Sequence, residues 1–228
     1  MTQTTDRESA TKARLSQSSV LTEAIALADR EGLEAVTIRR LAQDLGVTPM
    51  ALYWHFRNKS LLLEALGGEV IAEVDLTVNP ADPWHARFRT LISALVDTLR
   101  RHPWAVSLFT ARVCESPSYL VALETVLEIL DDAGFSPAEA AAISRHAISS
   151  AMGMVSGEPG VTGPLAPEDA EESQRRAKLF YESLPSKRYP RVIAAAGPLT
   201  SCDDRDSYYA FGLDLLVAGV EAMAARRP

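Results

Sequence analysis

A chain of 228 residues, 47% hydrophobic and 23% charged, suffices for one or two folded domains and is too apolar to remain disordered. Lys and Arg number 23 against 30 Asp and Glu, and the net charge of −7 argues against broad, sequence-blind nucleic-acid binding. Two cysteines (Cys114, Cys202), a polar N-terminus and no apolar run near the ~20 residues that span a bilayer predict a cytoplasmic chain with reduced thiols and no membrane partner.

Residues 1–17 read as a disordered polar arm. Beyond them a 3.6-residue period dominates and strand-like alternation is nearly absent, which predicts an all-α fold. The first helix covers about 18–31, with Val20, Leu21, Ala24, Ile25, Leu27 and Ala28 apolar and Gly32 as its left-handed stop. Thr37 caps a short helix to Leu45, whose Ile38, Leu41 and Ala42 face inward. Gly46 turns the chain. Thr48-Pro49 then opens a third helix to about Phe56, with Pro at the first helical position, where a missing N–H costs nothing. Asn58 begins a longer helix to about residue 78. The break Asn79-Pro80-Ala81-Asp82-Pro83 marks a boundary between domains at 18–79 and 80–228.

In the second domain, Phe88, Leu91, Ile92, Leu95, Val96 and Leu99 form a wide helical stripe. A short helix follows from Pro103 to about Val113. Ser118–Asp132 is apolar nearly all round, which predicts a central helix, and Gly134 ends it. Ser136-Pro137-Ala138-Glu139 is a capping box opening a helix to about Val155 that is rich in small residues. Gly157–Pro167 reads as a loop, 168–183 as a charged helix and 189–196 as a short one. The last helix, about 206–226, carries Phe211, Leu215, Ala218 and Ala222 on one face, so it needs a partner surface beyond one small core.

The stretch 37–59, TIRRLAQDLGVTPMALYWHFRNK, is two short helices joined through Gly46, a helix-turn-helix pattern. Ala42 is small where the helices cross, and Ile38, Leu41, Leu45, Val47 and Leu52 set the crossing angle. The second helix would enter the DNA major groove by its N-terminal end, exposing Thr48, Met50 and Ala51 to base edges or thymine methyls. Thr37, Arg39, Tyr53, His55 and Lys59 surround it with groups suited to phosphates. Charge agrees: residues 36–60 hold Arg39, Arg40, Arg57 and Lys59 against Asp44 alone, a net +3, while residues 61–228 carry −8. Arg40 and Arg57 read as solvated surface charges.

At this point residues 20–66 resemble the N-terminal domain of TetR/AcrR-type bacterial transcriptional regulators. The likeness rests on EGL, TIRRLAQDLGV and ALYWHFRNKSLLLEAL, and the Tyr53-Trp54-His55 run resembles the tetracycline-repressor branch. The resemblance implies a homodimer with a small DNA-binding domain and a larger ligand-binding domain, in most members a repressor released from DNA by a small molecule. It implies base contacts from Arg39, Thr48, Met50 and Ala51, phosphate contacts from Thr37, Tyr53, His55 and Lys59, and packing roles for Trp54 and Phe56. One departure matters: Thr48-Pro49-Met50 offers no amide or charge for bidentate base readout, so direct specificity falls to Arg39 and apolar contacts.

More loosely, His102-Pro103-Trp104, the segment around 116–140, Tyr189-Pro190 and FGLDLLVAGVEA resemble the same branch's regulatory domain. That likeness implies that helices at about 137–156 and 206–226 pair with their copies in a second subunit as a four-helix bundle. The dimer would bind a palindromic double-stranded DNA operator. Candidates for lining a largely apolar effector pocket are Phe88, Leu91, Trp104, Phe109, Leu123, Leu127, His146 and Met152. His85, His102 and His146 show no metal-ligand spacing and no accompanying carboxylate pair, so neither metal nor other cofactor is expected. No GxSxG, GxxxxGK[ST], HExxH or GxGxxG occurs, which leaves a helical enzyme as a distant alternative. An activator of the same fold, or a regulator answering to a protein partner, are nearer ones.

Overall fold

The structure, a computed structural model, describes residues 15–109, 113–158, 167–202 and 204–226. Residues 1–14 of the expected arm and 159–166 of the expected loop lie outside them. The described residues contain helices and no strand. They are α1 (Gln17–Glu31), α2 (Ile38–Asp44), α3 (Pro49–Tyr53), α4 (Lys59–Ala72), α5 (Trp84–Arg101), α6 (Pro117–Asp132), α7 (Pro137–Ser156), α8 (Pro167–Glu182), α9 (Pro190–Ala194), α10 (Ala196–Thr200) and α11 (Arg205–Ala224). Short 3-10 segments occur at Leu33–Ala35, Pro103–Leu108 and Val113–Glu115. No helix of the described residues is long and apolar enough to cross a membrane.

The helix starts follow local chemistry. The Thr37 hydroxyl accepts the Arg40 N–H at 3.2 Å, Thr48 accepts from Ala51 at 3.4 Å and Asn58 accepts from Leu61 at 2.9 Å. Ser136 and Glu139 cap each other reciprocally. Ser16 and Ser19 do the same for α1, so order begins inside the stretch expected to be a polar arm. Gly46, at φ +66°, makes the tight α2–α3 turn in a conformation that a side chain would strain.

Two apolar cores result. Val20, Leu27, Leu41, Leu52, Phe56, Leu62 and Leu66 close a small head, completed by Leu108 from far along the chain. Phe88, Leu99, Ile129, Leu130, Ala147, Leu213 and Val217 belong to the core of the larger body. Helix α4 runs from one to the other, with Leu62 and Leu66 in the head and Val70 and Ile71 in the body. The cores therefore divide within α4. Gly67 lets the body press on this helix: a Cβ there would lie 2.7 Å from a Val113 methyl.

Two expected elements differ. Helix α4 stops at Ala72 rather than near 78. The Asp75 carboxylate takes the Thr77 N–H at 2.9 Å, a local bond that competes with helix continuation. Helix α6 is not central. Only Ile129 and Leu130 on it are buried, while Leu120 and Val121 are exposed. Its inner face borders a cavity instead of solid core.

The body is tied across helices by charge. Arg89 pairs with Asp214 and Arg100 with Asp206, joining α5 to α11. The buried Glu158 carboxylate accepts from Arg205 and, at 2.7 Å, from the Tyr209 hydroxyl. Burial pushes the Glu158 carboxyl up, but the Arg205 and Tyr209 hydrogen bonds, helped by the nearby charges of Arg205 and Arg100, hold it below the ordinary carboxylate range. Burial, followed by the bond to Glu158, raises the Tyr209 phenol. A depressed carboxylate stabilises the fold above its unfolded pKa and ceases to do so as pH falls through the folded one. Glu158→Gln is expected to cost about 1–3 kcal/mol at neutral pH, with the gap to wild type closing in denaturant melts as pH falls below the ordinary carboxylate range.

Candidate functional site

The α2–Gly46–α3 unit presents one group of side chains outward. Thr37, Arg39, Thr48, Met50, Tyr53 and Lys59 are exposed, and Ala51 and His55 are half-buried. Met50 keeps 68% of its surface in solvent, which is much for an apolar side chain with no neighbour to cover it. Beneath them Leu52 and Phe56 are buried and hold α3 on the head's core. The cap hydroxyls of Thr37 and Thr48 accept backbone N–H groups and keep their own O–H to donate.

The four cations of residues 36–60 differ. Arg40 lies between Glu31, at 2.7 and 3.0 Å, and Asp44, at 3.0 and 3.1 Å. Hydrogen bonds to Glu31, then to Asp44, raise its pKa further above the usual guanidinium value. It ties α2 back to the end of α1 and, with its side chain 39% exposed, remains the surface charge its position in the sequence suggested. Arg39, Arg57 and Lys59 make no ion pair among the described residues, so their charge is open to an anion. Lys59 is also the first residue of α4, where the helix N-terminus attracts negative charge.

Trp54 corrects the sequence reading. It was expected to pack with Phe56, yet it is 85% exposed while Phe56 is 2% exposed. The C-cap of α3 at Trp54 and the turn through His55 send alternate aromatics outward and inward. Trp54 therefore joins the outward group.

The body holds an apolar cavity with about 520 Å³ of empty space, part of it open at the mouth. Only about 50 Å³ of it has room for the centre of a water-sized sphere, well below the about 300–1,000 Å³ of formed small-molecule pockets, so an occupant has to spread the walls. Its described lining comes from Ile71 in the last turn of α4, from Val74 and Leu76 just after it, from α5 (Leu91, Ile92, Leu95), from Phe109, from α6 (Tyr119, Ala122, Leu123, Val126) and from α7 (Ser144, Ile148). Ser144 already donates its hydroxyl to the Ala140 carbonyl at 2.8 Å. Burial, followed by the neighbouring Cys114, pushes the Tyr119 phenol up to about 12, so it stays a neutral O–H at physiological pH.

Of the candidates read from the sequence, Leu91, Phe109 and Leu123 line this cavity. Phe88 is buried in solid core, Leu127 and Met152 pack against that core, and His146 is exposed on α7. Trp104 instead touches both cores and donates its indole N–H to Asp29 at 2.7 Å. His102 was expected to lack a carboxylate pair, but the fold supplies one: Nδ1 faces Asp29 at 2.8 Å and Nε2 faces Glu73 at 3.1 Å. Those partners are remote in sequence, and no local signal gives them away.

A capped helix-turn-helix with unpaired cations, carried on a helical body with an apolar cavity, defines a DNA-binding regulator with a sensor domain. The family model "Bacterial regulatory proteins, tetR family" matches residues 20–66, and "Tetracyclin repressor-like, C-terminal domain" matches 77–224. The chain belongs to the TetR family and is a transcriptional regulator. It is similar to an HTH-type transcriptional regulator of Saccharopolyspora erythraea, 29% identical over 96% of this chain and 90% of that one. It is 27% identical to the tetracycline repressor protein class D of Escherichia coli, over 92% and 90% of the two chains. Among solved structures it resembles Streptomyces coelicolor ActR in complex with actinorhodin, with a TM-score of 0.75, 27% identity, and 93% and 99% of the two chains covered.

Proposed function

We propose that the chain is a homodimeric repressor that holds a palindromic operator and lets go when a largely apolar small molecule fills the cavity. The observation that carries this reading is that α4 bears the anion-attracting Lys59 at one end and the cavity-lining Ile71 in its last turn, with cavity-lining Val74 directly after its C-cap. An occupant that spreads the cavity wall displaces the same helix that seats the head. Effector and DNA then favour different arrangements of one dimer, and each weakens the other's binding.

Arg39, Thr48, Met50 and Ala51 face the bases, and Thr37, Tyr53, His55 and Lys59 hold phosphates. Apolar walls with a single neutral phenol suit an uncharged, mostly hydrophobic effector and need no metal to bind it. The similar ActR, solved with actinorhodin, supports a small-molecule effector. Exposed Phe211, Leu215, Ala218 and Ala222 on α11 support a symmetric dimer. The exposed His146, Ser149 and Gly153 of α7 offer a small-residue face for close approach.

Gel shift of the full chain against DNA upstream of its own gene tests the DNA part. A single palindromic site bound at moderate salt is expected, and none at all overturns it. A thermal-shift screen of apolar metabolites and drugs tests the sensor part. A bound effector at 100 times its Kd adds about 2.7 kcal/mol, about 5–10 °C in Tm for a chain of this size. The same compound should release the DNA.

A further inference from the structure

Helix α4 joins head to body, but one helix alone leaves the head free to swivel about it. A second attachment exists. Asp29, near the end of α1 in the head, receives the Trp104 indole N–H at 2.7 Å and faces His102 Nδ1 at 2.8 Å. His102 is the C-cap of α5 and Trp104 lies in the first turn of the 3-10 segment that follows, so both come from the body's stretch of chain. The far side of the His102 ring faces Glu73, the C-cap of α4, and Arg101 donates to that same carboxylate at 2.6 Å. His102 is only 6% exposed. Each ring nitrogen lies within hydrogen-bond distance of a carboxylate, one from the head and one from the C-cap of α4. Other contacts at this junction, such as Leu108 in the head's core, Ile25 against the body's core and Val113 against Gly67, are apolar and tolerate sliding. The hydrogen bonds are directional and do not.

We propose that His102 and Trp104 clamp Asp29 as positioning residues, fixing the rotation of each head on its body and so setting the half-site spacing a dimer accepts. The proposal rests on the dimeric DNA-binding reading above. One base pair moves a half-site by about 3.4 Å and about 35° around the duplex. A swivelling head follows that change, and a clamped head resists it.

The test uses the full-length chain and an operator selected from random duplexes by the wild type. Affinities are measured for that duplex, for versions with one base pair added or removed between half-sites, and for a single half-site. Asp29→Ala removes the clamp's acceptor from an exposed position, and Trp104→Phe removes one donor while keeping a ring. The wild type is expected to prefer its selected spacing about tenfold or more, a typical coupling between linked sites. Both variants should drop that preference to about threefold or less and bind the single half-site as the wild type does. General loss of stability would weaken all duplexes alike and leave the ratio unchanged, and an unchanged ratio in both variants overturns the clamp. If the wild type selects no two-fold site, the dimeric reading fails and takes the clamp with it. A two-fold site with unaltered ratios sinks the clamp alone.

Discussion

Alanine at Arg39 should cost about 1–3 kcal/mol of operator affinity and broaden the set of sequences bound, because this guanidinium has no carboxylate to hold it and points outward from the start of α2. Alanine at Lys59 should weaken every duplex alike and reduce the salt slope by about one ion. Alanine at Arg40 is expected to act differently again. Its charge is spent on Glu31 and Asp44, so the loss should fall on the anchoring of α2 more than on DNA. Fluorescence anisotropy with the selected operator, a scrambled duplex and a salt series separates the three. Identical behaviour of the Arg39 and Lys59 variants would remove the division between base and phosphate contacts.

The neighbouring aromatics give the second large contrast. Phe56→Ala should destabilise the head by about 3–5 kcal/mol, since the ring is buried among Leu52, Leu62 and the rest of the small core. A calorimetric trace is expected to show a lowered or separate head transition. Trp54→Ala, two residues earlier, should leave melting within about 0.5 kcal/mol of wild type while reducing DNA affinity, because the indole covers nothing in the isolated chain. A large fall in Tm for Trp54→Ala would return that residue to a packing role.

These contrasts mark where the sequence was informative. Thr37, Thr48-Pro49, Asn58 and Ser136 declare their helices because capping acts over three or four residues. The stripe from Phe88 to Leu99 declares its buried face for the same reason, a fixed local period. Trp54 misled because its packing role came from the family resemblance, and the local spacing does not reveal where α3 ends to correct it. The cavity was partly legible. Leu91 and Leu123 were found as apolar and inward, yet Phe88 and Leu127 share those traits and meet protein instead of space. Periodicity says that a side chain leaves water, not what it meets. The pairing of His102 with Asp29 and Glu73 could not be read at all, since it depends on how two cores are stacked.

Leu108 has a practical consequence for exchanging parts between regulators. It lies in the body's stretch of chain but completes the head's core. A head cut at the Asn79–Pro83 break and grafted onto another sensor would arrive with a hole where Leu108 had been, and with Asp29 facing whatever the new host supplies. The transferable cassette is therefore discontinuous: residues 15–73 together with the Arg101–Leu108 segment that plugs and grips them. A chimera respecting that unit should keep both its stability and its operator geometry, whereas one joined at the obvious linker should lose some of each.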